Sequence, residues 1–293
     1  MSAMSSCTSC NLCENPRTLD EAVEKGQVPC DVRHFAGNLF TIWRCVNCNS
    51  LHSAEDVDLA DYYAHYPLQN QRLDFPTRIS YRDRLRLLAK QAVRRSDRIL
   101  DYGCGTGAFV AFLREKGYRY ADGFDPFITA YADRKVLRVK YDAVVSYEVM
   151  EHVDDPKQFL SELSDLTCPR GLIVIGTPNA DYLSVTKKAP HDIELSQPYH
   201  RHILSERTLL YLGQERGLLP VHIYRRMPMD SLVPGVNTRF MWTYINLMGG
   251  MIDAAVEPPG IWVILRSPAL LFYTFFGYFF PPRGNMLVSF RKT

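Results

Sequence analysis

The chain has almost no net charge, no basic leader ahead of an apolar core at its start, and no apolar run long enough to cross a bilayer. Its 34 Lys and Arg stand against 32 Asp and Glu, a formal charge of +2. A surface so balanced carries no basic stripe for a phosphate backbone, so no nucleic-acid partner is expected. The opening "MSAMSSCTSC" lacks the regions of a secretory signal, which predicts a cytoplasmic chain with reduced cysteines. The most apolar stretch, "IWVILRSPALLFYTFFGYFFPP", is broken by Arg266 and Pro268. What remains uninterrupted, Ala269 to Phe280, falls short of the roughly 20 residues that span a membrane. Internal repeats and low-complexity tracts are also missing.

What is present falls into zones. Residues 1–55 hold six of the eight cysteines in a turn-rich stretch. Residues 56–97 connect, with Ile79, Leu85, Leu87, Leu88 and Ala92 on one face of a predicted helix. Residues 98–226, together with a last strand at 286–293, alternate apolar strands with amphipathic helices. That rhythm predicts an α/β fold, a doubly wound and mostly parallel sheet of seven strands covered on both faces. Residues 227–285 interrupt it as an apolar, aromatic helical insert. Local signals mark the ends: Asp155 and Pro156 open one helix, Ser205 another.

The first strand runs into "ILDYGCGTGAF", with Gly103, Gly105 and Gly107 at alternate positions. No lysine followed by Ser or Thr comes after the last glycine, so this is not a phosphate-binding P-loop. A dinucleotide loop spaces its second and third glycines by three; here the spacing is two. The stretch resembles motif I of class I S-adenosylmethionine-dependent methyltransferases of the small-molecule type. The resemblance continues in register. "DGFDP" puts Asp125 at the end of the second strand, where the resemblance implies that it holds the cofactor's ribose. "YDAVVSYEVMEHVDDPKQFLSEL" and "CPRGLIVIGTPN" look like the family's fourth and fifth strands with their connections. The implied cofactor-binding residues are Asp101, Gly103, Cys104, Gly105, Gly107, Asp125, Pro126, Ser146, Tyr147 and Glu148. One departure stands out: only 16 residues separate Asp125 from Asp142, leaving room for one helical turn and a short strand over 136–139.

The cysteines offer a second site. Two C-x2-C pairs, Cys10 with Cys13 and Cys45 with Cys48, suit a tetrahedral structural zinc, with Cys7, Cys30 and His52 in reserve. Disulfides and an iron–sulfur cluster are the rivals. If the chain transfers methyl groups, a general base is needed only for an acceptor that must lose a proton. His152, His200 and His202 are the candidates. The insert reads either as a helix pair packed on the sheet or as a lid for a lipid-like acceptor, with peripheral membrane contact through 261–280 as a further expectation. The functional reading is methyl transfer to a small-molecule or lipid-like acceptor. A zinc-containing nucleic-acid-binding or nucleic-acid-modifying protein, or an inactive cofactor-binding scaffold, is the alternative.

Overall fold

A computed structural model describes residues 8–14, 16–67, 73–186, 193–227 and 230–293. Cys7 lies outside them. In chain order the cysteine-rich part gives β1 (Glu24–Pro29), β2 (Leu39–Arg44) and β3 (Leu51–Ser53). Two helices follow, α1 (Leu59–Ala64) and α2 (Phe75–Lys90). The alternating region supplies β4 (Ile99–Tyr102), α3 (Ala108–Glu115), β5 (Ala121–Phe124), β6 (Tyr141–Tyr147), α4 (Pro156–Leu166) and β7 (Thr167–Pro178). It continues through β8 (His202–Ile203), α5 (Glu206–Gln214) and β9 (Leu218–Tyr224). The insert forms α6 (Thr238–Leu247), α7 (Ile261–Arg266) and α8 (Pro268–Phe276), and β10 (Asn285–Lys292) closes the chain.

The large sheet has the order β5-β4-β6-β7-β10-β9. β4 pairs in parallel with β5 and β6, and β6 with β7, whereas β10 runs antiparallel to both its neighbours. Its inner strands are apolar on both sides, and the alternation sorts them. Ile99, Ala143, Val145, Leu172 and Leu287 face α2 and α3 through Leu88, Phe109, Phe112 and Leu113. Their neighbours Leu100, Val144, Ile173 and Val288 face α4 and α5 through Leu160, Leu163, Leu209 and Leu212. Burial on both faces is what a parallel sheet requires. The predicted caps form: Asp155 accepts from the amides of Lys157 and Gln158, and Ser205 from that of Thr208. The predicted helix face stops short of Ala92, which has φ +68° beyond the end of α2.

Two expectations need correction. The sheet has six strands rather than seven among the described residues. The segment expected to give a strand over 136–139 is instead a 3-10 helix, Arg134–Arg138. Its Asp133 side chain caps the amide of Lys135, and the short connection has no length for both a covering helix and a strand.

The small sheet has the order β1-β2-β3-β8, so its last strand comes from 202–203, far along the chain. Cys10, Leu12, Trp43, Cys45 and Cys48 share one core with Leu100, Val144 and Leu163. Buried Arg44 donates to the carbonyls of Ala180 and Leu183 and pairs with Glu24 at 2.8 Å. The cysteine-rich segment is therefore welded onto the α4/α5 face.

The insert forms a small core of its own around Tyr244, Ile245, Ala254 and Leu270. The reading of a helix pair buried on the sheet does not hold. Trp262 is 71% exposed and Phe275 62%, and Phe272, Phe276, Phe279 and Phe280 also face outward. Among the described residues no helix is long and apolar enough to cross a membrane.

Candidate functional site

Parallel strands carry their ligands beyond their carboxyl ends. At the end of β4 the loop glycines Gly103, Gly105 and Gly107 take φ of +80°, +52° and +74°, the left-handed region that side chains avoid. The two later ones differ in kind. A Cβ on Gly107 would lie 2.0 Å from the Tyr131 hydroxyl, so that position is sealed by a neighbour. A Cβ on Gly105 would meet nothing within 4 Å, so the loop is open there.

Asp125 is tied to the same loop. One carboxylate oxygen accepts from the Gly105 amide at 3.0 Å and the other from the Phe127 amide at 2.9 Å. Asp101 is buried, and burial raises its carboxyl to about 7, with Asp125 adding to the rise and Arg84 opposing it. Cys104 packs its sulfur beneath Gly123, where a Cβ would sit 2.8 Å away. Burial pushes its thiol up, which suits a space-filler and not a nucleophile. Pro126 is exposed on the turn after β5.

The end of β6 presents polar atoms with nothing to bond. Ser146 Oγ and Tyr147 Oη are buried without hydrogen-bond partners. Glu148 follows at φ +54°, a conformation costly for a non-glycine residue, held by its amide's bond to the Gly176 carbonyl. Arg84, from α2, lies 4.2 Å over the Tyr147 ring and has a buried Nε without a partner. Sequence reading missed Arg84. It is one of several arginines in α2, and no local pattern separates it from those on the surface.

The histidines divide. His152 Nδ1 donates to the Tyr199 carbonyl at 3.0 Å and lies 3.1 Å from the Tyr63 hydroxyl. His200 Nδ1 donates to the Glu194 carbonyl at 2.8 Å, and the two rings meet edge to face at 4.9 Å. Beside them Glu151 is fully buried. Its Oε2 accepts from Thr177 at 2.9 Å, and Oε1 has no hydrogen-bond partner. Burial lowers His152 to about 4 and His200 to about 3, so both are neutral and weakly basic at pH 7. Burial, then the charge of Glu148, raises the Glu151 carboxyl well above its ordinary range. The structure removes His202 from the candidate bases. It sits in β8 with Nδ1 3.1 Å from His52 Nδ1 and Nε2 donating to the Asp154 carbonyl at 3.1 Å, so both ring nitrogens are engaged inside the small sheet. Tyrosines close the other flank: Tyr63 in α1 and Tyr66 just beyond it pack their rings against Tyr199, with exposed Phe127 stacked on Tyr63.

The four paired cysteines converge. Cys10 Sγ lies 3.6 Å from the sulfurs of both Cys13 and Cys48, and Cys13 Sγ lies 3.9 Å from that of Cys45. Four thiolates about 2.3 Å from one tetrahedral ion stand roughly 3.8 Å apart, a spacing these three pairs approach. A hydrogen bond from Cys10 holds the Cys48 thiol well below its ordinary range. Cys30 packs in a different cluster with Val32, Phe40 and Tyr199, away from this site.

The chain is similar to known methyltransferases. Over 45 residues the chain is 53% identical to the mitochondrial ubiquinone biosynthesis O-methyltransferase of Dictyostelium discoideum, covering 15% of this chain and 14% of that protein's length. Over 183 residues it is 28% identical to the ubiquinone biosynthesis O-methyltransferase of Dinoroseobacter shibae, covering 51% of this chain and 71% of the relative. A solved 1,6-didemethyltoxoflavin N1-methyltransferase from Burkholderia thailandensis, with its namesake ligand and S-adenosylhomocysteine bound, superposes with a TM-score of 0.44 at 14% identity, covering 92% of this chain and 99% of that one. Residues 71–223, more than half of the chain, match the methyltransferase-domain family, and the chain belongs to that family.

Proposed function

We propose that this protein transfers a methyl group from S-adenosylmethionine to a small-molecule acceptor. The observation that carries the reading is the open side of Gly105, whose amide is bonded to Asp125, together with the unsatisfied Ser146 and Tyr147 at the end of the neighbouring β6 and Arg84 over the Tyr147 ring. A nucleoside with two ribose hydroxyls, an amine and a carboxylate suits that donor set: Asp125 accepts from the hydroxyls, and Arg84 is the half-buried cation available for the carboxylate. Gly103, Cys104 and Gly107 shape the loop, while Asp101, Pro126 and Glu148 border it. When bound, the cofactor supplies an already activated methyl group. The chain's own task is then to align the acceptor and exclude water. Tyr63, Tyr66 and Tyr199 form an aromatic wall for that acceptor, beside His152 and His200.

Zinc at Cys10, Cys13, Cys45 and Cys48 belongs to the same reading, as a fastener of the small sheet; the sulfur spacing supports it. The outward aromatic face of α7 and α8 supports a lipid-like acceptor drawn from an anionic lipid surface. From Pro258 to Gly284 the chain carries Arg266 and Arg283 and no acidic residue. Aromatic side chains beside arginines favour the interface of such a surface.

Calorimetry with S-adenosylhomocysteine tests the central claim. Saturable binding is expected, weakened about 10- to 100-fold in Asp125→Ala, since hydrogen bonds to a charged group are lost. Absence of heat with well-folded protein would sink the reading.

A further inference from the structure

We propose that Glu151, His152 and His200 form a second divalent-metal site, of the open type that leaves room for water or an acceptor hydroxyl. One ligand atom from each lies within 4.8 Å of the others. Both imidazoles are arranged as metal ligands usually are. Each spends its Nδ1 hydrogen on a backbone carbonyl, Tyr199 for His152 and Glu194 for His200, which fixes the ring and leaves an Nε2 lone pair free to coordinate. His152 Nε2 already stands 3.9 Å from Glu151 Oε1.

The carboxylate gives independent support. Glu151 is completely buried, and its Oε1 has no hydrogen-bond partner, although its other oxygen is anchored by Thr177. A buried carboxyl oxygen without a hydrogen-bond partner is costly, and its acidic neighbour here, Glu148, offers no compensating positive charge. A cation among Glu151, His152 and His200 satisfies that oxygen and both lone pairs at once. The partial exposure of His152 gives it a way in.

The donor set separates this site from the cysteines. Four soft thiolates close around zinc, whereas two imidazoles and one carboxylate suit Mn2+, Fe2+ or Zn2+ and leave coordination positions open. Metal binding stands apart from the methyl-transfer reading; a role in orienting the acceptor rests on it.

The test uses full-length, zinc-loaded protein and Mn2+, an ion that four thiolates do not favour, followed by electron paramagnetic resonance. The expected result is one saturable Mn2+ per chain, unaffected by added zinc-site cysteine variants that fold and weakened at least about 10-fold in Glu151→Gln and His200→Ala. S-adenosylhomocysteine binding is measured on the same samples. A variant that keeps cofactor binding but loses Mn2+ supports the site without ambiguity from misfolding. Wild-type protein that binds the nucleoside yet takes up no Mn2+, or variants that bind Mn2+ as tightly as wild type, would overturn the proposal. Mn2+ binding without nucleoside binding would sink the methyl-transfer reading and leave the metal site standing.

Discussion

Two clusters in this protein gather ligand atoms around a point, and they do so in opposite ways. Cys10 with Cys13, and Cys45 with Cys48, converge as two tight local turns whose sulfurs already stand at tetrahedral spacing inside the shared core. Glu151 and His152 meet His200 only because a segment nearly 50 residues later folds back across the β6 end, where Arg201 and His202 donate their amides to the Glu151 carbonyl. The first set is soft, complete and enclosed. The second is mixed, incomplete and partly open. Closure suits a fastener; an open position suits chemistry.

Removing one ligand from the closed set is expected to have the largest effect. Cys45→Ser should abolish stoichiometric zinc and lower unfolding free energy by more than about 4 kcal/mol, because a buried ion and the core around it fail together. Metal analysis with denaturant unfolding checks this, and a loss below about 1 kcal/mol would erase the contrast between the two clusters.

Acid should loosen the closed set's surroundings next. Burial works against the charge of Glu24, yet hydrogen bonds from Ser184, Arg44 and Thr186 outweigh it and hold the carboxyl at about 2. A depressed carboxyl contributes stability that is full above its unfolded value of about 4.5 and disappears as pH falls toward 2. About 1–2 kcal/mol should be lost over that window, allowing for solvent screening, and Glu24→Gln should flatten it. Unfolding curves at stepped pH measure the difference; identical acid limbs would show that the docking of the small sheet does not depend on this pair.

Glu151→Gln should behave unlike any cysteine variant. In metal-free protein it trades a buried, half-satisfied carboxyl for a neutral amide, so stability should stay within about 1 kcal/mol of wild type or rise. A fall of several kcal/mol, read by thermal unfolding, would make the open set structural too. The smallest stability change belongs to the exposed insert. Trp262→Ser and Phe275→Ser should shift stability by under about 0.5 kcal/mol while reducing sedimentation with anionic vesicles. Unchanged sedimentation would remove the lipid-surface part of the proposed function.

How far these regions could be read beforehand follows from the range of the forces involved. Strands β4, β6 and β7 and helices α4 and α5 are written locally, in apolar runs and in the capping side chains of Asp155 and Ser205. The cysteine pairs are equally local, since C-x2-C is a turn that aims two sulfurs at one point. His202 looked like its neighbour His200, but pairing of β8 with β3 locked its ring against His52. The expected strand at 136–139 is also a matter of context, because the connection lacked the length to cross back and Arg134–Arg138 took a 3-10 turn. Composition marked the insert as apolar but could not say whether anything covers it, and in the fold its aromatic face points outward.

Sequence alone settled the alternation of strands and helices, the glycine loop and the two cysteine turns, because periodicity, capping and short-range turn chemistry act within a few residues. Only the tertiary structure decided that Arg84 faces Tyr147, that Glu151 lies buried with an oxygen unsatisfied, and that His200 rather than His202 turns toward it. Those outcomes depend on which distant segments exclude water together, and burial of that kind is a property of the packed chain, not of any stretch within it.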